Sequence, residues 1–147
     1  MGLSIRGRSL FGVQEVNMGV GEFYVTRVLN ELLRNTSFAL PSAWWISLHT
    51  GAAGRTGTGN ALASSPRFSI TFYAAATNGT GGQASSSGAV SVVVSATGTI
   101  TDIGIWDGSS TATANHIWNG ALTASKTVAN VGDTVQISAG QLVVKLE

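Results

Sequence analysis

Two histidines, seven acids and many hydroxyl side chains are the groups in this 147-residue chain that could do chemistry. His49 closes the run AWWISLH and His116 opens HIWNGAL, each in or beside a strand at a solvent-facing or edge position. A metal site needs three or four converging ligands, so neither histidine makes one alone, and Asp102 and Asp107 are the acids that could join them in space. Glycosidase chemistry needs two carboxylates across a cleft. Asp102 and Asp107 are five positions apart on one strand, so they point to opposite faces and form no pair by themselves. Asp107-Gly108 and Gly132-Asp133 read as turn formers, because Asp satisfies local backbone N–H groups and Gly tolerates positive φ. No G-x-S-x-G elbow is present among the serines. The segment GAAGRTGTGN lacks the Gly-Lys-Ser/Thr ending and the following helix of a phosphate loop, and reads as a mobile or partner-ordered surface loop. Asn35-Thr36-Ser37 and Asn78-Gly79-Thr80 match the glycosylation sequon, a pattern common by chance. The polar stretch IWNGALTASKTVANVGDTV, residues 117–135, reads as strand, turn and strand rather than as a reactive cluster. The chain is therefore expected to carry no catalytic residue, no metal and no cofactor.

The tryptophans Trp44, Trp45, Trp106 and Trp118 are many for this length. Trp44 falls in phase with the apolar positions of its strand, whereas Trp45 and Trp106 fall out of phase. Three readings stay open for those two: cover by the helix or a second sheet, a subunit interface, or a sugar-stacking platform.

The elements that must hold these residues begin with a Gly-punctuated stretch, residues 1–19, fitting neither period cleanly. It is expected to be an arm that orders against a partner, with Leu3, Ile5, Arg6, Arg8, Leu10, Phe11 and Val13 as contacts beside Trp45 and Trp106. In residues 21–35, Val25, Val28, Leu29, Leu32 and Leu33 have the spacing of an amphipathic helix, and Arg27 and Glu31 form an i, i+4 pair opposite them. Asn35 supplies a stop and Pro41 bars continuation. After Pro41 the period changes to two. Strands are predicted over 43–50, 67–76, 89–95, 99–107, 116–122, 126–130, 133–138 and 141–147, with loops at 51–66, 77–88 and 108–115. Residues 130–133 are expected to turn a hairpin. About eight short strands after one helix predict an all-β chain: a jelly-roll-like sandwich or barrel, residues 20–147 forming one domain behind the arm.

Composition narrows the setting. Charged residues make up only 10% of the chain and hydrophobic residues 44%. The usual charged fraction is about 25%, so such a surface fits one covered by neighbours in an assembly. With a net charge of +1 and no basic block, nothing points to nucleic acid. No apolar run approaches the length of a membrane span, and the opening residues lack the pattern of a signal peptide. There is no cysteine, so packing alone must hold the fold.

The order of segments carries a resemblance. A helix is followed by PSAWWISLHT, a Gly-rich loop, RFSITFYAA, GTITDIGIWD, WNGALTASKTV and GDTVQISAGQLVV. This series, over about residues 21–146, resembles a family of small tailed-bacteriophage virion proteins of the tail fibre, minor tail or head decoration type. Thr101–Asp107 and Trp118–Val135 carry it most strongly. The resemblance implies a non-enzymatic virion protein. It leads with a capsid decoration (cement) role on the capsid surface, a homo-oligomer with a trimer favoured, clamping the major capsid protein through the N-terminal arm. The alternative is a tail, baseplate or tail-fibre component binding another virion protein or a host receptor.

Overall fold

A computed structural model describes residues 19–62, 67–77, 79 and 81–146. The predicted arm, apart from Gly19, lies outside the described residues. Among the described residues there are ten strands and one helix: β1 (Gly19–Val20), α1 (Glu22–Arg34), β2 (Trp44–His49), β3 (Phe68–Ile70), β4 (Ala76–Thr77), β5 (Gly82–Ser85), β6 (Val90–Val93), β7 (Gly98–Trp106), β8 (His116–Val128), β9 (Thr134–Ile137) and β10 (Val143–Leu146). The fold is all-β with a leading helix, as its period of two predicts.

The strands form a five-stranded sheet in the order β1-β8-β7-β2-β3, a three-stranded sheet β10-β5-β4 and the pair β6-β9. Every pairing is antiparallel. This is an open sandwich and not a closed barrel, with sheets of five, three and two strands among the described residues. Ile46, Leu48, Ile103 and Ile105 of the large sheet share one buried cluster with Val92, Val135 and Val144 of the smaller ones and with Leu142 just before β10. Strand alternation brings this about. In β6 the burial follows the period of two, with Val92 1% and Val93 63% exposed.

Several elements depart from the sequence reading. The segment 77–88, predicted as a loop, contains β5, whose small residues Gly82, Gln83, Ala84 and Ser85 pair with β10 on one side and β4 on the other. Partners, not apolar content, make it a strand. The predicted strands 116–122 and 126–130 are one element, β8. Its register against β7 slips between them: Ile100 faces Lys126 and Asp102 faces Ala121, so the four residues 122–125 of β8 lie opposite Thr101 alone and bulge. The turn at 130–133 forms as expected, Asp133 N–H donating to Asn130 O, yet β9 pairs with β6 and not with β8. The turn is thus a crossing between sheets rather than a hairpin.

The helix has the predicted length and stop. Asn35 adopts the left-handed conformation (φ 50°, ψ 41°) and its N–H donates to Asn30 O. Its burial departs from the prediction. Only Tyr24 of α1 is buried, while Val28, Leu29, Leu32 and Leu33 are 40%, 50%, 73% and 78% exposed. The segment after the helix explains this. Phe38 N–H donates to Glu31 Oε2 at 3.2 Å, and the Arg27 guanidinium lies 4.2 Å from the Phe23 ring centre and 5.9 Å from that of Phe38. Arg27 and Glu31 thus bind aromatic rings and backbone, and the predicted pair between them gives way to these contacts. Arg27 and Glu31 touch the returning chain yet stay exposed, and the apolar side from Val28 to Leu33 is open as well.

Core alternation has a direct measure. Val92→Ala is expected to lower unfolding stability in urea by about 2–3 kcal/mol, for two lost methyl groups and the cavity left behind. Val93→Ala, one residue on, is expected to shift it by less than about 0.5 kcal/mol.

Candidate functional site

The residues with chemical potential converge on the outer face of the large sheet. Trp44, Ile46 and Leu48 of β2 take the core phase, which puts Trp45, Ser47 and His49 on the other face. Across the ladder, Trp45 pairs with Trp106, Ser47 with Gly104 and His49 with Asp102. This face was predicted to be solvent-facing or edge, yet His49 is 1%, His116 4% and Trp106 4% exposed.

The cover is the segment 50–62. It packs as a folded strap over the sheet, with Ala53, Gly57 and Leu62 buried and most of its other residues exposed. Two imidazoles hold it. His49 Nδ1 bonds Gly59 O at 2.8 Å and His116 Nδ1 bonds Arg55 O at 3.1 Å. A carbonyl only accepts, so each Nδ1 carries the proton. Arg55 O also accepts from Glu22 N–H at 3.1 Å, and Gly21 N–H donates to Ile117 O. The strap, the start of α1 and the start of β8 therefore meet at one carbonyl. Gly57 lies against the His116 and Trp106 rings: a Cβ there would sit 2.4 Å from the imidazole and 2.7 Å from the indole, and its φ of +74° is itself a glycine conformation.

Beneath the strap runs a short relay. Trp106 Nε1–H donates to Ser47 Oγ at 2.8 Å, and Ser47 Oγ lies 2.6 Å from His49 Nε2. With the proton of His49 on Nδ1, Nε2 is the acceptor and the serine hydroxyl donates to it. A serine on a neutral imidazole is the arrangement of an activated nucleophile. Here its oxygen is engaged on both sides and is closed off, Ser47 being 9% exposed. Asp102, opposite His49 in register, accepts instead from Thr101 Oγ1 at 2.7 Å. Gly104 leaves the room that the cluster occupies, since a Cβ there would lie 2.7 Å from Ser47 Oγ. Burial pushes both histidines below their ordinary pKa of 6.5, so both are neutral at pH 7. Among the described residues, no three of the His, Asp and Glu side chains gather as a metal site.

Trp106 is roofed by Arg67, whose guanidinium stands 3.4 Å from its ring centre and donates to Ser110 O at 2.5 Å. His116 flanks it with ring centres 4.9 Å apart. Thus the strap, Arg67 and His116 cover Trp106, rather than the helix or a second sheet. Trp45 is half-buried. Leu3, Ile5, Arg6, Arg8, Leu10, Phe11 and Val13 lie outside the described residues. Asp107 forms a turn as read from the sequence, accepting from Asn115 N–H at 2.6 Å and Asn115 Nδ2 at 2.8 Å. It also accepts from Tyr24 Oη at 3.0 Å, which pins the helix. A groove of about 480 Å³ lies away from this cluster, between Leu122 and Lys126 of β8, Val135 and Ile137 of β9, and Leu142.

Ser47, Gly57, Arg67, Gly104 and Tyr24 are residues that sequence reasoning missed. The signal for Ser47 was its place between Trp45 and His49 on the out-of-phase face.

Ser47→Ala removes the partner of two buried groups at once and is expected to cost about 2–4 kcal/mol, measured by urea unfolding, with the β-sheet circular dichroism retained. Tyr24 gives a pH signature. Burial, and then the Asp107 carboxylate, push its hydroxyl from 10.0 up to about 12. The raised value belongs to the folded state, so this stability is in place below pH 10 and is lost between pH 10 and about 12. Tyr24→Phe is expected to flatten thermal stability over that window, and an unchanged alkaline slope would show that Tyr24 does not supply it.

A family model described as Podophage GP4 fiber I protein gp80 matches residues 20–145. No curated protein matches the chain. The matched span runs from β1 to β10 and takes in α1, the strap and the Ser47–His49–Trp106 relay. The chain belongs to this phage fibre family and is a virion structural protein of β-rich fold.

Proposed function

We propose that the chain is a non-catalytic building block of a phage tail fibre, joined to other virion proteins and to further copies of itself. The family match over residues 20–145 is the observation that carries this reading. The chemistry of the outer face supports it. The Ser47–His49 pair is shut beneath the strap and spends its hydrogen bonds on Trp106 and Gly59, so it acts as a fastening for the sheet. The fibre family favours the tail over the capsid-surface cement role that led in the sequence reading. A charge fraction of 10% suits a surface that neighbours cover.

Imaging of whole particles with the chain tagged is the test. A small symmetric set of copies at the tail is expected. Hundreds of copies spread over the capsid lattice would overturn the fibre reading in favour of cement.

A further inference from the structure

β8 is the longest strand among the described residues, and its inner edge pairs with β7. The ladder along its outer edge is short. β1 pairs there antiparallel, Val20 opposite Trp118 and Gly19 opposite Asn119. The described ladder stops at Asn119, while β8 continues to Val128. In an antiparallel pair, a step back along one strand is a step forward along the other. The direction of β1 thus points back from Gly19 toward Gly120 and Leu122. On that side lies the groove of about 480 Å³, whose apolar wall is made by Leu48, Ile100, Ile103, Leu122, Val135 and Leu142. It is the open flank of the sandwich, between the large sheet and β9.

The sequence before β1 fits that edge. Continuing the register sets Met18 opposite Gly120, Asn17 opposite Ala121 and Val16 opposite Leu122. Val20 packs against the buried cluster, as do Trp118 and Leu122, while a Cβ on Gly19 would meet Asn119 Oδ1 on the other face. The run VNMGV keeps this phase, with Val16, Met18 and Val20 on the cluster side and Asn17 and Gly19 on the other. Gly120 adds no side chain of its own, which leaves width for the long thioether of Met18. The apolar alternation ends at Gln14, and the ladder meets the bulge of β8 at 122–125, so pattern and edge run out together. The occupant follows from connectivity. A segment already joined to this edge closes no new loop by pairing along it, and its effective concentration there exceeds that of a strand brought by another molecule. We infer that Val16–Met18 extend β1 along the outer edge of β8 and seat Val16 and Met18 in the groove, so that the chain's own N-terminal segment fills the open flank of the sandwich. This holds wherever in the virion the chain resides.

The test uses the full chain, which has no cysteine of its own. Val16→Cys/Leu122→Cys sets two thiols directly opposite, with about 4.5–5.5 Å between Cβ atoms. Oxidation should join them within one chain, giving a product of single-chain mass that runs faster on a non-reducing gel. Asn17→Cys/Leu122→Cys puts the thiols on opposite faces and should stay unlinked. Amide exchange reads the same edge without cysteines. Successive residues of an antiparallel strand bond to alternate sides, so at least one amide within Gly120–Leu122 points away from β7. That amide should be protected in the wild-type chain and exchange at least about tenfold faster in Met18→Asp, with β2 and β7 unchanged. A cross-link between chains shows the segment docking on another copy and overturns the inference. So does a folded test pair that does not link, or a control pair that links as readily. An outward amide that exchanges equally fast in the wild-type chain and in Met18→Asp overturns it too, and decides alone where the cysteine pair fails to fold.

Discussion

The fold depends on two neutral imidazoles bonding two backbone carbonyls. His49 holds Gly59 and His116 holds Arg55, and between them they lay a glycine-rich strap over the outer face of the main sheet. Without that cover, Ser47, His49, His116 and Trp106 would lie on a solvated face. With it, the sheet is buried on both sides over β2 and β7, which lets a chain with few charges and no disulfide enclose aromatic and aliphatic side chains on two faces. The same carbonyl of Arg55 receives the first N–H of α1, so the helix start is set by the strap as well.

The composition follows from this layering. Glycine is required at Gly57, where the strap backbone lies on two rings, and at Gly104, where the sheet makes room for the relay. Isoleucines at Ile103 and Ile105 alternate with Gly104 and Trp106 because one face of β7 meets the aliphatic core and the other meets the polar cluster. The run IGIW is thus a record of two different neighbours on one strand.

What could be read in advance divides along physical lines. The helix length and its stop at Asn35 are local, and local spacing and αL preference revealed them. The face it would bury is not local. An apolar stripe shows that something should cover it, and says nothing of whether the cover belongs to the same chain. The strand positions β2, β6, β7 and β9 were legible because one side of each alternates with the core. β5 was not, because Gly82–Ser85 has no apolar side to alternate and exists through its partners β4 and β10. His49 and His116 were read as exposed because their phase is opposite to the core. That inference fails where a loop covers the second face, and a strap poor in apolar residues announces no such cover.

The strap also has a place in time. Its fastening points, on β2 and on the start of β8, are far apart in the chain and become neighbours only after β7 has paired with both. Those pairings close long loops, and loop closure of that kind is the slow part of forming a β-rich fold. In the folded chain the strap thus rests on a three-strand platform of β2, β7 and β8. A sheet paired out of register would lack one of the two fastening points and leave Trp106 and the imidazoles without their cover.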